Sequence, residues 1–326
     1  MDVAAFCAES RVLVVAGKGG VGKTTVAAAL ARMAADAGCS VLIVELEGKS
    51  GIAAAFGAPD PLGYGEVDLY RRASPGGRGS VRGRRITPDD ALLEYLADHG
   101  LQRVSKRLVS SGVVEVVSTA IPGIRDVLVL GKVKQLERDR AADLIVVDAP
   151  ATGHAMTFLA SAGGLLDAAR GGPLRAQAAD VVDLLSDPAR CRVLLVTLAE
   201  EMPVSETVEA AYELEDRVGV QLGPVIVNAW DVVPEGLSSS TGEAMAAAGI
   251  DLPDTVVQAL EAARLFRLHR SELAADQVAR LTLELPLPQL RLPRLDAPSV
   301  GPQQLELLGA ALAEAVGGLG ARTGTP

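Results

Sequence analysis

Residues 17–25 read Gly-Lys-Gly-Gly-Val-Gly-Lys-Thr-Thr. The apolar run Arg11–Ala16 before them predicts a buried strand, and the pattern Thr24–Ala37 after them, which stops before Gly38, predicts a helix. A glycine-rich turn in this position lets backbone N–H groups point inward at a phosphate, and the helix that follows presents the positive end of its dipole to the same anion. The stretch therefore predicts a phosphate-binding loop.

The two polar residues at the end of this loop carry distinct predicted roles. Lys23 is expected to reach the β- and γ-phosphates of ATP, and the Thr24 hydroxyl is expected to ligate Mg²⁺. The neighbouring residues are expected to supply inward backbone N–H groups and close packing. The predicted nucleotide-contacting residues of the loop are Gly17, Lys18, Gly19, Gly20, Val21, Gly22, Lys23, Thr24 and Thr25.

The rest of the chain alternates short apolar runs with helical patterns. Further strands are predicted at Ser40–Glu45, Asp143–Asp148, Cys191–Thr197, Pro224–Asn228 and Leu281–Leu285. Helices are predicted at Ala155–Ala169, Leu174–Leu185, Ser205–Val218 and Val256–Ala279. The strands are nearly continuous in Val, Leu and Ile, as is typical of strands covered on both faces. We expect an α/β fold with a doubly wound, mainly parallel sheet, and a single P-loop domain over residues 1–326.

One stretch interrupts this alternation. About 95 residues separate the second and third predicted strands, far more than a crossover connection needs. Its first part, residues 64–87, predicts a hairpin around the glycine-rich sequence Ser-Pro-Gly-Gly-Arg-Gly. Its second part, residues 87–140, begins with Thr87 followed by proline and two acids, a typical helix start, and predicts an inserted helical subdomain.

Composition restricts the classes of partner. Lys and Arg total 31 against 41 Asp and Glu, a net charge of −10, which gives little general attraction to nucleic acid or anionic lipid. The three cysteines, Cys7, Cys39 and Cys191, are far apart in sequence, so no zinc site is predicted. Residues 1–10 lack a signal-peptide pattern, and no apolar run reaches membrane-spanning length. We expect a cytoplasmic protein without integral membrane association.

A second lysine in the loop, Lys18, has no role in ordinary phosphate binding. A lysine at this position resembles the deviant P-loop (deviant Walker A) class. That class includes arsenical pump ATPases, ATPases that guide tail-anchored membrane proteins, nitrogenase iron proteins, Min and Par positioning ATPases, and iron–sulfur scaffold ATPases. The resemblance implies that Lys18 crosses a dimer interface and acts on the nucleotide of the partner subunit.

The stretch Asp148-Ala149-Pro150-Ala151-Thr152-Gly153-His154 narrows the resemblance. It is similar to the Asp-Thr-Ala-Pro-Thr-Gly-His switch of the arsenical pump and tail-anchor targeting family, although residues 149–151 differ from that pattern. The resemblance implies that Asp148 holds a water on Mg²⁺. It makes Asp148, with Thr24, the predicted metal site, and implies that the turn around His154 responds to the γ-phosphate.

Three further positions extend this resemblance. Counting back from Phe56-Gly57 in Leu-Glu-Gly-Lys-Ser-Gly-Ile-Ala-Ala-Ala-Phe-Gly, Glu47 falls on the family aspartate that orients the attacking water; the alternative is a solvated loop acid. Asn228, at the end of a predicted strand, falls on the family asparagine that reads the adenine edge; the alternative is an ordinary turn. The proline-rich stretch Leu285–Pro288 falls where the family closes a loop over the base.

The resemblance implies a Mg²⁺-dependent ATPase with catalytic residues Lys18, Lys23, Glu47 and Asp148. It implies a homodimer, or a heterodimer with a paralogue, whose nucleotide cycle changes the binding of a still unidentified protein client. Two alternatives stay open. One is a Par- or Min-like positioning ATPase, and the other is a nucleotide-binding interaction protein with negligible hydrolysis.

Overall fold

The computed structural model describes residues 1–59, 61–73, 79–98, 123–231, 233 and 235–322. Part of the predicted hairpin tip, 74–78, and the middle of the predicted helical insertion, 99–122, lie outside the described residues.

The described residues form one sheet of eight strands. These are β1 (Val12–Gly17), β2 (Ser40–Leu46), β3 (Val67–Arg71), β4 (Ser80–Ile86), β5 (Leu144–Ala151), β6 (Cys191–Leu198), β7 (Val225–Trp230) and β8 (Gln289–Pro293). Their spatial order is β3-β4-β2-β5-β1-β6-β7-β8. Every neighbouring pair is parallel except β3 and β4. The predicted α/β fold with a mainly parallel sheet is confirmed.

Helices cover both faces of this sheet. They are α1 (Val3–Ala8), α2 (Lys23–Asp36), α3 (Ile52–Ala55), α4 (Pro88–Asp98), α5 (Ile124–Arg138), α6 (Thr152–Ala168), α7 (Pro173–Ser186), α8 (Glu201–Glu213), α9 (Thr241–Ala248), α10 (Asp254–Glu284) and α11 (Pro302–Arg322). A π-helical turn, Leu214–Val218, continues α8. Within the described ranges, no helix combines the length and the apolar content that a bilayer crossing requires.

The central strands are apolar throughout because alternate side chains enter two different cores. Leu13 and Val15 of β1 pack in a cluster with α2 and α11. Val12 and Val14 point the other way, into a cluster that includes residues of α5, α6 and α7. Burial on both faces therefore explains the continuous apolar runs. Because these strands are parallel, their carboxyl ends lie at one edge of the sheet, where the loops that follow them meet.

The predicted strand Leu281–Leu285 is wrong, because residues 281–284 are the last turn of α10. The alternation of Leu281, Leu283 and Leu285 resembles a strand pattern, but Leu283 is 84% exposed. The buried residues are Val278, Leu281 and Leu285, which are spaced as one face of a helix. The last strand is β8, where Leu290 and Leu292 are buried beside β7.

The segment between β2 and β5 contributes to the sheet and to its core. β3 and β4 are antiparallel neighbours, and β4 also pairs in parallel with β2, so both strands extend the main sheet. α5 buries Val127, Leu130 and Val133 in the core beside the central strands. The described end of the inserted segment is thus part of the main domain, and a separate helical subdomain over 87–140 stays a prediction.

Candidate functional site

The predicted site residues come together because three loops leave adjacent strands at the same edge. The order β2-β5-β1 places the loop 17–25, the segment after β2 and the end of β5 side by side. Asp148 lies directly opposite Val15 of β1 and Glu45 of β2 on the neighbouring strands. Loops that are distant in sequence therefore form one site at the carboxyl ends of the strands, the usual ligand position in open α/β sheets.

Glycine is required at two positions of the loop. At Gly17, whose φ is 150°, an added Cβ would lie 2.2 Å from the Val196 carbonyl oxygen of β6. At Gly22, whose φ is 89°, it would lie 2.3 Å from the Asn228 side-chain nitrogen. A larger residue at Gly17 would force the loop away from β6, and one at Gly22 would displace the Asn228 side chain and strain a left-handed backbone. The glycines thus hold the loop against the sheet while its backbone N–H groups remain available to an anion.

Lys23 begins α2 and lies inside the loop. It is only 7% exposed, and its Nζ donates to the Lys18 carbonyl oxygen at 2.7 Å. Burial lowers the pKa of Lys23 and the nearby Lys49 ammonium lowers it further, while the Asp148 carboxylate acts in the opposite direction. A positive charge buried beside a helix N-terminus is suited to bind a negatively charged phosphate chain.

Thr24 and Asp148 form the predicted metal pair. The Thr24 hydroxyl donates to Asp148 Oδ2 at 2.7 Å, and Asp148 is fully buried at the end of β5. A hydroxyl and a carboxylate next to a phosphate-binding loop are the oxygen ligands that Mg²⁺ prefers, and Mg²⁺ usually completes its shell with water and phosphate oxygens. The donor set that these two residues offer therefore fits Mg²⁺.

Glu47 lies on the rim of the site and outside this pair. Its side chain is 51% exposed, and its Oε2 accepts from Arg125 at 3.1 Å. Glu45, two residues earlier, is fully buried and accepts two hydrogen bonds from Arg85, at 2.7 and 3.1 Å. The buried Glu45 carboxylate is thus neutralised by Arg85 of the neighbouring strand, while Glu47 is half-exposed and pairs with Arg125.

Lys18 points to the outside of the loop. Its Nζ donates to Glu206 Oε1 of α8 at 2.5 Å, and both side chains are about one-third exposed. The remaining loop residues differ in accessibility: Val21 is buried, Thr25 is half-buried, and Gly19 and Gly20 are exposed.

Asn228 lies at the carboxyl end of β7, directly against the loop. Its Nδ2 donates to the Val21 carbonyl oxygen at 2.8 Å. The prediction that Leu285–Pro288 closes over the base is wrong, because Val225, at the amino end of β7, donates to the Pro288 carbonyl oxygen at 2.8 Å. The stretch that follows β8 lies on the side of Asn228, since Arg294 N donates to the Trp230 carbonyl oxygen at 3.0 Å.

The chain was compared with sequence models of known protein families, and one of them matches more than half of it. The model of the CobQ/CobB/MinD/ParA nucleotide binding domain matches residues 12–217, which span β1 to the end of the π-helical turn. The chain belongs to the CobQ/CobB/MinD/ParA family.

Relatives of this CobQ/CobB/MinD/ParA member include two kinds of named ATPase. ATPase BagA of Mycobacterium tuberculosis is 38% identical over 309 residues, covering 89% of this chain and 87% of that protein. The arsenical pump-driving ATPases of Escherichia coli and Acidiphilium multivorum are 29% and 28% identical over 223 and 227 residues. These matches cover 68% of this chain but only 35% of each pump ATPase. The predicted P-loop ATPase related to arsenical pump ATPases is thereby confirmed.

Three residues that sequence reasoning gave no role contact predicted site residues of this CobQ/CobB/MinD/ParA protein: Lys49, Arg125 and Glu206. Arg85 lies one contact further out, because it donates to Glu45 and to the Lys49 carbonyl oxygen. Lys49 is the most central: its ammonium contacts Asp148 Oδ1 and donates to the Ala149 carbonyl oxygen at 2.6 Å. Burial lowers the pKa of Lys49, and the charge of Asp148 opposes that shift. A lysine two residues after Glu47, the residue predicted to orient the attacking water, was the available signal.

Proposed function

We propose that the protein is a dimeric, Mg²⁺-dependent ATPase of the arsenical pump and tail-anchor targeting type, which couples ATP hydrolysis to conformational change and to binding of a protein client. The observation that carries the proposal is the Thr24–Asp148 hydrogen bond of 2.7 Å beneath a loop that buries Lys23. Phosphoryl transfer requires positioning and charge stabilisation more than covalent chemistry, and these residues supply both.

Each group has a defined task in this proposal. Bound Mg²⁺ would neutralise charge on the phosphates, held through Thr24 and Asp148. Lys23 binds the β- and γ-phosphate oxygens, and the loop N–H groups surround them. Glu47 orients the attacking water once its segment closes, a movement in which its carboxylate leaves Arg125.

Lys18 is the residue that links the proposed activity to a dimer. Its ammonium lies on the outer side of the loop, paired with Glu206 and about one-third exposed. A lysine there can reach the nucleotide of a second subunit, where it stabilises charge that develops on the γ-phosphate. The second subunit is a copy of this chain or a paralogue.

The client surface is assigned to the inserted segment 87–140, of which 99–122 lie outside the described residues. α4 and α5, at the two ends of this segment, are linked to the site because Arg125 contacts Glu47 at 3.1 Å and Asp89 at 3.9 Å. A movement of Glu47 toward the nucleotide would break its contact with Arg125 and so change the contacts of α5 at the site.

A second candidate function is supported by the position of Glu47. Its carboxylate is half-exposed and paired with Arg125, so it is not held where it would orient a water. A protein that binds ATP and hydrolyses it negligibly is consistent with this geometry. Such a protein would act as a nucleotide-dependent interaction module.

A steady-state ATPase assay tests the proposal and separates the two candidates. We expect Mg²⁺-dependent turnover that rises more steeply than linearly with protein concentration, and a loss of at least tenfold in Asp148→Asn. Asp180→Asn, which removes a surface carboxylate paired with Lys134 at 2.7 Å, serves as the control and should retain turnover. ATP binding without measurable turnover in the wild type would favour the interaction module, and Mg²⁺-independent turnover would contradict both.

A further inference from the structure

The carboxylate of Asp148 is shared between two partners. Its Oδ2 accepts from the Thr24 hydroxyl at 2.7 Å, and its Oδ1 contacts the Lys49 ammonium. The Lys49 Nζ also donates to the Ala149 carbonyl oxygen at 2.6 Å, so the ammonium is held at the end of β5 by two acceptors. Asp148 is fully buried, and its single negative charge is the one that the proposed metal would use.

The main chain of Lys49 is anchored separately from its side chain. Arg85 donates to the Lys49 carbonyl oxygen at 2.6 Å and, from the same terminal nitrogen, to Glu45 at 2.7 Å. Arg85 and Glu45 are cross-strand neighbours of β4 and β2, so this anchor belongs to the rigid sheet. The four-carbon side chain of Lys49 can therefore leave Asp148 while its backbone stays in place.

We propose that Lys49 is an internal competitor of the divalent metal for Asp148: binding of the metal displaces the Lys49 ammonium from the carboxylate. The inference rests on the proposed function, because it takes Thr24 and Asp148 as the residues that hold Mg²⁺. The physical reason is that one buried carboxylate cannot give its full charge to an ammonium and to a divalent cation together. Lys49 is thus a positioning residue that sets the metal concentration at which the site fills.

Two simpler roles for Lys49 lead to different expectations. A structural ion pair would stabilise the end of β5, and its loss would weaken the metal site. A phosphate ligand would bind the nucleotide directly, as Lys23 is expected to do. The contacts favour competition, because the Lys49 Nζ is held by Asp148 and Ala149, whereas the Lys23 Nζ is directed into the loop at the Lys18 carbonyl oxygen.

The test is a titration of the ADP-bound protein with Mn²⁺, which prefers the same oxygen ligands as Mg²⁺. Electron paramagnetic resonance measures the concentration of free Mn²⁺ at each step. Lys49→Met should bind Mn²⁺ about tenfold more tightly than the wild type, because the metal no longer competes with the Lys49 ammonium for the Asp148 carboxylate. Lys49→Arg keeps the charge and should stay within about threefold of the wild type. Damage to the fold would weaken metal binding, so a gain in affinity cannot come from a structural role.

Matched variants make the result decisive. Lys134→Met removes another nearly buried lysine, paired with Asp180 at 2.7 Å, and should leave Mn²⁺ affinity unchanged. Weaker or unchanged Mn²⁺ binding in Lys49→Met would overturn the proposal, as would a loss of ADP affinity of about tenfold in the presence of EDTA, which would make Lys49 a phosphate ligand. If Asp148→Asn leaves Mn²⁺ binding unchanged, the metal site of the proposed function fails, whatever Lys49→Met does.

A measurement on the wild type avoids any folding defect of the variants. Lysines of the ADP-bound protein are labelled briefly with an amine-reactive ester, with and without Mn²⁺, and quantified by mass spectrometry. Labelling of Lys49 should rise at least threefold with Mn²⁺, because its ammonium leaves Asp148, while labelling of Lys134 stays constant. Unchanged or reduced labelling of Lys49 would contradict the displacement.

Discussion

The two lysines of the phosphate-binding loop occupy contrasting surroundings. Lys23 is 7% exposed and donates to a carbonyl oxygen of its own loop at 2.7 Å. Lys18 is about one-third exposed and pairs with Glu206 of α8. They are five positions apart in sequence, yet the Lys23 ammonium is directed into its own loop and the Lys18 ammonium is directed outward to α8.

In the proposed dimer, this difference would let one loop serve two subunits. A buried ammonium beside a helix N-terminus has little freedom, so Lys23 acts where it lies. An exposed pair such as Lys18–Glu206 is held by about 0–1 kcal/mol and can be broken by a better partner. The inner lysine therefore fits nucleotide binding in its own subunit, and the outer lysine fits a contact that forms only when two subunits close.

The largest expected effect belongs to the inner lysine. Lys23→Ala should abolish ATP binding, because it removes the buried charge that faces the phosphates. Mg·ATP at about 100 times its Kd should stabilise the wild type by about 2.7 kcal/mol, seen as a rise in Tm, and should not shift the variant. Lys134→Ala, a substitution of similar size outside the site, should keep the ATP-induced shift. An equal shift in Lys23→Ala and wild type would contradict the P-loop assignment.

A smaller effect is expected at the rim of the site. Glu47→Gln keeps the size of the side chain and removes the charge that orients water, so turnover should fall at least tenfold while ATP affinity is preserved. Single-turnover kinetics with separately measured ATP binding distinguish the two quantities. Unchanged turnover would show that Glu47 is the solvated loop acid left open by the sequence.

The smallest effect concerns the partner of the outer lysine. Glu206→Gln removes the carboxylate that holds Lys18 within its own subunit. Less free energy is then needed to move Lys18 to the nucleotide of the partner subunit. The protein concentration that gives half-maximal turnover should fall about two- to fivefold, in line with the weak free energy of an exposed ion pair. Glu209→Gln on the same helix is the control and should have no effect. Reduced maximal turnover in Glu206→Gln would mean that the pair itself is needed for hydrolysis.

The fold, and the meeting of the loop 17–25 with Asp148, could be predicted from the sequence because each part carries a recognisable local signal. The loop 17–25 and the strand that ends at Asp148 each carry their pattern within about ten residues. The strand misplaced at Leu281–Leu285 shows the limit of such patterns, since alternation over five residues also fits the end of a helix. The exposure of Leu283, 84%, and the helical spacing of the buried Val278, Leu281 and Leu285 separate the two.

The outer contacts could not be predicted because no motif in the sequence pairs their members. Lys18 meets Glu206 across 188 positions, and Lys49 meets Asp148 across 99. Arg85 reaches Glu45 only because β4 pairs with β2, a register that follows from the folded sheet. Charged residues on loops show no periodicity, so their pairing depends on the topology and has no local pattern.

The most direct test of a lysine that acts across the dimer interface is to mix two inactive variants. Lys18→Ala should bind ATP and turn over slowly, and Lys23→Ala should not bind. In a mixed dimer, the intact Lys23 belongs to the Lys18→Ala subunit, and the other subunit supplies Lys18, so one site is complete. An equimolar mixture should recover about a quarter of wild-type ATPase activity, since half of the dimers are mixed and one of their two sites works. No recovery at any ratio, or full activity of Lys18→Ala as a monomer, would contradict the account.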